Sequence, residues 1–181
     1  PKRTRLMKQV LQICCKNNKK TQDVAIGSTL SDVFKQFNLK MPYGPICARV
    51  NNRVVGMNYQ LYHNKDVEFL DMHDASASRN YTRTLFFILC KAVHDLYPGS
   101  RVVIDIPVSK GYYINLHIGR EVTDEDATRI RERMQQIIDE KIPIERFEVR
   151  TEEAIRMFEQ KGDEAKVKLL KSVGSLYTVY H

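Results

Sequence analysis

The stretch from Tyr81 to Leu116, YTRTLFFILCKAVHDLYPGSRVVIDIPVSKGYYINL, leaves this chain few ways to fold. Leu85, Ile88, Leu89, Ala92, Val93 and Leu96 recur at three- and four-residue steps, which lines apolar groups along one helical face. Phe86, Phe87 and Cys90 widen that face until the segment is apolar almost all round, so the spacing predicts a long, buried helix. Pro98-Gly99 ends it, because proline cannot continue the hydrogen-bond ladder and glycine accepts a left-handed exit. Val102, Ile104, Ile106 and Val108 then alternate as a strand and Tyr112 to Ile118 as the next, joined through Ser109-Lys110-Gly111. Everything after residue 73 is expected to pack around this helix and hairpin.

Size and charge divide the rest. At 181 residues the chain suits one large domain or two small ones, and its 43% hydrophobic and 28% charged content is that of an ordinary soluble protein. It contains no apolar run of about 18 residues, so no membrane span is expected. The opening PKRTRLMKQV lacks the apolar core of a secretory signal. Cys14, Cys15, Cys47 and Cys90 show no C-x-x-C spacing, which favours reduced, partly buried thiols and a cytoplasmic location. The net charge of +7 is unevenly placed: residues 1–73 hold 12 Lys and Arg against 5 Asp and Glu, whereas residues 74–181 hold 17 of each. That asymmetry predicts a first module over residues 1–73 with an anionic partner, and a second over 74–181.

In the first module, Leu6 to Lys16 and Thr21 to Ile26 read as strands around an Asn17-Asn18-Lys19-Lys20 turn. A helix follows, capped by Thr29 or Ser31, with Leu30, Val33, Phe34 and Phe37 as its apolar stripe. Ile46 to Val50, a turn at Asn51-Asn52, Arg53 to Met57 and Val67 to Asp71 complete a β-grasp order. The run CARVNNRVVGMNYQLYHNKDVEFLD resembles the second half of a TGS domain, the small ubiquitin-like module at the front of threonyl-tRNA synthetases. The hairpin centred on R-V-N, the leucine some ten residues on and the closing D-V-E-F-L strand agree in order. The resemblance implies binding of RNA or another ligand, with no catalysis in the module itself. Lys2, Arg3, Arg5, Lys8, Lys16, Lys19 and Lys20 are then the candidate phosphate contacts, giving salt-dependent affinity. A solvated tail and turn is the alternative use of the same charges, since no aromatic rings are interleaved with them.

His73 to Asn80, HDASASRN, reads as a joint between the modules. Beyond the hairpin, Thr123 caps a helix with Asp126 three residues on. Ala127, Ile130, Met134, Ile137 and Ile138 form its buried stripe, and Arg129, Arg131 and Arg133 belong to a solvated mixed-charge face. A strand over Ile144 to Val149 comes next, then a helix capped by Thr151 with Ala154, Ile155 and Phe158 inward. Asp163 to Leu170 adds another turn or two, and Leu176 to Tyr180 a last strand. The expected class is α+β, a sheet with helices on one side.

The run from Tyr81 to His181 resembles the second N-terminal domain of threonyl-tRNA synthetases, which shares its fold with the editing domain of alanyl-tRNA synthetases. The matching pieces are the helix ending A-V-x-x-L-Y-P, the hairpin carrying G-Y-Y, T-D-E-D opening a helix, I-P-I-E-R, TEEAIRMF and the K-V-K-L segment. In that family an H-x-x-x-H pair on the first helix, with a later Cys and His, lines the site that hydrolyses mischarged tRNA. One helical turn between two histidines lets both face one metal or water. Counting back from Leu96-Tyr97-Pro98, those positions here are Arg83 and Phe87, neither of which can ligate a metal or act as a base near neutral pH. The later Cys and His would fall beyond residue 181. No catalytic residue and no metal site is therefore expected, and His63, His73, His94, His117 and His181 are scattered. Arg79, Arg83, Tyr112, Tyr113 and Lys166 are candidates to hold a phosphate or nucleotide in the old cleft. Salt-bridged arginines and packed tyrosines are the plainer use of the same residues.

No G-x-x-x-x-G-K-[ST] loop or nucleophile elbow occurs. The chain is expected to be a regulatory or ligand-binding front fragment whose partner is a downstream catalytic domain, with a homo-oligomer also in view. Loss of both histidines favours a parent resembling the bacterial uridine kinase and phosphoribulokinase family, in which ATP and Mg would bind only beyond residue 181. The front of a threonyl-tRNA synthetase-like protein, or a stand-alone RNA-binding adaptor, is the alternative.

Overall fold

The computed structural model describes residues 10–109 and 111–180. The chain is α+β, and by packing it divides after Met134 into two compact units.

The first unit begins with a five-stranded sheet in the order β2-β1-β5-β3-β4. Its strands are β1 (Val10–Cys15), β2 (Lys20–Ala25), β3 (Cys47–Val50), β4 (Arg53–Gly56) and β5 (Lys65–Leu70), with α1 (Leu30–Gln36) between β2 and β3. β1 runs parallel to β5 and the other pairings are antiparallel, which is the ubiquitin-like β-grasp arrangement. Alternation sorts the side chains: Leu11, Ile13 and Cys15 of β1, Val67 and Phe69 of β5, and Ala48 and Val50 of β3 share one face. That face is buried against Leu30 and Val33 of α1 and Phe37 at its C-terminal end. Phe34 meets Phe69 edge-on with centroids 5.1 Å apart. Thr29 caps α1 and Asp32 bonds back to the Thr29 amide, closing a capping box. Asn51 and Asn52 turn the β3–β4 hairpin at φ 44° and 71°, the left-handed region that asparagine tolerates.

Part of the opposite face of the sheet is covered too. Cys47 and Leu70 pack with Ala77, flanked by Ile46 and Val54. Ala77 belongs to α2 (Ala75–Leu96), so the expected joint over His73 to Asn80 is instead the first turns of a helix. Asp74 accepts hydrogen bonds from the amides of Ser76 and Ala77, and a polar cap followed by small residues starts a helix as readily as it fills a linker. The expectation of a fully buried helix is also corrected. Of α2 only Ala77, Ala92 and Val93 are buried, Phe87 is 43% exposed, and Cys90 is exposed as well.

After Gly99 (φ 80°) come β6 (Arg101–Val108) and β7 (Gly111–His117), an antiparallel pair with an irregularity between Ile104 and Pro107. Proline offers no amide to the ladder, and a bulge is where a strand accommodates it. α3 (Asp124–Asp139) begins at a second capping box, Thr123 with Asp126. Its buried positions are Asp126, Ile130 and Ile137, whereas Ala127 and Ile138 of the expected stripe are exposed. Arg133 is not simply solvated, because its Nη2 lies 2.9 Å from Asp95 of α2.

In the second unit β8 (Phe147–Arg150) pairs antiparallel with β9 (Tyr177–Tyr180), and α4 (Thr151–Gln160) packs beside α5 (Glu164–Val173). The strands after residue 100 thus form two two-stranded sheets, where one had been expected. Thr151 is the first helical residue of α4 and not its cap. Buried, it shares its hydroxyl with Thr178 at 2.9 Å.

Candidate functional site

The cationic set expected on the first module is described in part. Lys2, Arg3, Arg5 and Lys8 lie outside the described residues. Lys16, Lys19 and Lys20 are exposed around the β1–β2 turn, where Lys19 adopts φ 57° and the Lys20 amide bonds the Asn18 side chain at 3.1 Å. The Lys16 amide is tied to the Val67 carbonyl at 2.8 Å, so its backbone is held while its side chain projects. Among the described residues none of these ammonium groups has an ion-pair partner. Arg49, by contrast, is engaged with both Glu68 and Asp74. Cations on a fixed turn with no ion-pair partner among the described residues can meet an anion, and their contribution falls with salt.

The five residues proposed to line a cleft behave differently from one another. Arg79 and Arg83 are exposed on α2, and Arg79 reaches the Ser76 hydroxyl at 3.3 Å. Tyr112 packs edge-on against Phe86 of α2, centroids 4.9 Å apart, which fixes that face of the hairpin against the helix. Tyr113 is the next residue of the same strand and must point to the opposite face, where it is 60% exposed. The two tyrosines proposed for the cleft therefore stand on opposite faces of β7. Lys166 lies in the second unit, where its ammonium sits 4.9 Å over the Phe158 ring and 3.1 Å from Asp163. That pairing and ring contact hold the head group locally. The second unit has a groove of about 270 Å³ lined by Val149, Glu153, Ala154, Arg156, Met157 and Gln160, none of them a predicted site residue.

The described histidines form no metal-holding group. His63, His73, His94 and His117 are all exposed, and His73 contacts Asp71 at 3.1 Å. Among the described residues no group of three or more His, Cys, Asp and Glu is placed to hold a metal ion. Arg83 and Phe87 lie one turn apart on α2.

The most elaborate polar cluster was missed. Asp126, 2% exposed, accepts from Arg120 through both of its oxygens, at 2.6 and 2.8 Å. It also accepts from the Tyr97 hydroxyl at 2.5 Å and from the Thr123 amide at 2.9 Å. The Arg120 guanidinium first, then the Tyr97 hydroxyl and the Thr123 amide, hold its carboxyl far below the usual carboxylate range, against the opposing effect of burial. The same bond pushes the Tyr97 hydroxyl up. Arg129 stands 5.8 Å over the Tyr97 ring. The cluster ties the end of α2 to the start of α3, and with its lone pairs occupied it is built to hold structure. The Thr123-x-x-Asp126 spacing was readable as a cap, but nothing in that spacing says the carboxylate is covered.

No protein-family model matches the chain. It is 31% identical over 143 residues to a threonine–tRNA ligase of Natranaerobius thermophilus, covering 79% of this chain and 22% of that protein. With a threonine–tRNA ligase of Clostridium kluyveri it shares 30% identity over 164 residues, 91% of this chain and 26% of the relative. A third, from Desulforamulus reducens, is 28% identical over 149 residues, 82% and 24% respectively. The chain spans about a quarter of the length of the curated relatives it matches. It is similar to a region of threonine–tRNA ligases. These relatives favour the synthetase-like alternative over the kinase parent, which none of them supports.

Proposed function

We propose that this chain is a tRNA-facing accessory region of a threonyl-tRNA synthetase-like protein, one that contacts RNA but does not itself hydrolyse mischarged tRNA. The observation that carries the reading is the similarity to threonine–tRNA ligases, which extends over 91% of the chain and so takes in both the β-grasp sheet and the elements after it. In this reading residues 1–73 are the TGS-like module and residues 74–181 the editing-like one. Lys16, Lys19 and Lys20, without an ion-pair partner among the described residues, offer phosphate contacts, and the uneven charge of the chain supports attraction on the same module. Where editing chemistry needs a pair of imidazoles, α2 presents Arg83 and Phe87. A guanidinium stays protonated and a phenyl ring has no lone pair, so neither can activate water. Arg79 and Arg83 remain able to meet a phosphate from the exposed side of α2. As part of a charging enzyme the region would work in the cytoplasm.

Fluorescence anisotropy with a labelled tRNA transcript tests the binding half. Binding in the micromolar range that weakens steadily as salt rises is expected, and no binding at low salt refutes it. Incubation with seryl-tRNA tests the other half: the uncatalysed deacylation rate is expected, and faster hydrolysis would show that a hydrolytic site survives.

A further inference from the structure

The contacts around Arg49 bear on how the chain moves, independently of what it binds. We propose that α2 is a rigid strut latched to the sheet by Arg49, so that the β-grasp sheet and the hairpin–α3 region reorient as one body. Arg49 stands on β3 opposite Glu68 of β5 and donates to it through Nη1 at 2.5 Å. Its Nη2 donates to Asp74 at 3.2 Å. The other oxygen of Asp74 accepts from the amides of Ser76 and Ala77 at 2.8 and 3.2 Å. One planar guanidinium therefore bridges a carboxylate of the sheet to the carboxylate that caps the helix, a task for which a two-armed donor suits and a point charge does not.

Beneath this bridge, fully buried Ala77 closes an apolar cluster with Cys47 and Leu70. At the far end Ala92 and Val93 are buried, Lys91 and Arg133 share Asp95, and Tyr97 reaches Asp126. The 22 residues between Asp74 and Tyr97 include no glycine or proline, so the helix, about 33 Å long, has no built-in hinge. A flexible tether would leave its polar groups to water, whereas this one spends them on the sheet.

Backbone 15N relaxation on the intact chain decides the matter. Amides of β1 and β5 are expected to share one rotational correlation time with those of β7 and the first turns of α3, and two distinct times would overturn the proposal. In Arg49→Ala the two times should separate. Exchange of the Ser76 and Ala77 amides should speed up roughly tenfold, about the effect of one charge-assisted hydrogen bond. The amides of Leu11, Ile13 and Val67 should keep their protection. Unchanged exchange and a single time in that variant would overturn the latch. Should Arg49→Ala lose sheet protection as well, Arg49→Lys, which keeps the charge but one arm, is judged by the same two readouts.

Discussion

A carboxylate shut away from water needs its lone pairs answered, and Asp126 has them answered by Arg120, Tyr97 and Thr123. Its pKa is lowered on folding, so its contribution to stability is complete above the unfolded value, about 4, and fades as pH falls through the folded one. Asp126→Asn removes the charge that Arg120 and Tyr97 converge on. It should lower the melting temperature by several degrees at pH 7, and by less at pH 3, where the unfolded carboxylate is already largely protonated. Circular-dichroism melts at the two pH values check this, and an equal loss at both would mean the charge is not what matters. The sequence shows the cap, which the structure bears out, but not the burial. Thr123 and Asp126 have the spacing of a cap, and a carboxylate in the first turn of a helix is ordinarily solvated. Arg120 and Tyr97 are 6 and 29 residues away along the chain, and only folding brings them together.

At the scale of elements, local chemistry was legible where it was self-contained. The stripe of Leu30, Val33, Phe34 and Phe37 announces α1 by spacing alone, and of the two caps the sequence offers, Thr29 and Ser31, the helix uses Thr29. Thr29→Ala removes the cap acceptor and should cost about 1 kcal/mol in urea unfolding, with the slope unchanged. Phe69→Ala opens a hole between β5 and α1 beside Phe34 and should cost about 3–5 kcal/mol in the same measurement. If the two losses were equal, packing would not dominate that interface. α2 was legible in period but not in extent or burial. Its apolar stripe begins at Leu85, while its first turns are Ala, Ser and Asn, residues that serve loops as well. What makes them helical is Asp74 at the cap and the sheet beneath Ala77, and neither is a property of the segment's own composition. The split of Tyr112 and Tyr113 to opposite faces, by contrast, follows from strand alternation alone.

On the scale of the whole molecule, the charge map was readable from the start, because it depends on counting residues and not on their neighbours. The parent protein was not. The absence of an H-x-x-x-H pair argues about chemistry and says little about lineage, and the relatives found are threonine–tRNA ligases and not kinases. If the excess charge acts as proposed, the binding energy is largely counterion release, and its signature is a slope and not a single affinity. Replacing Lys16, Lys19 and Lys20 together with alanine should flatten the plot of log affinity against log salt by about 2 to 3, at roughly 0.7–0.9 per phosphate contact. The change should be alike for unrelated tRNA sequences, since phosphate contacts read no bases. Exposed on a turn and unpaired, these lysines can be removed with little effect on the sheet, so the melting temperature should hold while the slope falls. A slope equal to that of the parent chain would move the RNA-binding charge elsewhere, with Arg79 and Arg83 on α2 the next pair to replace.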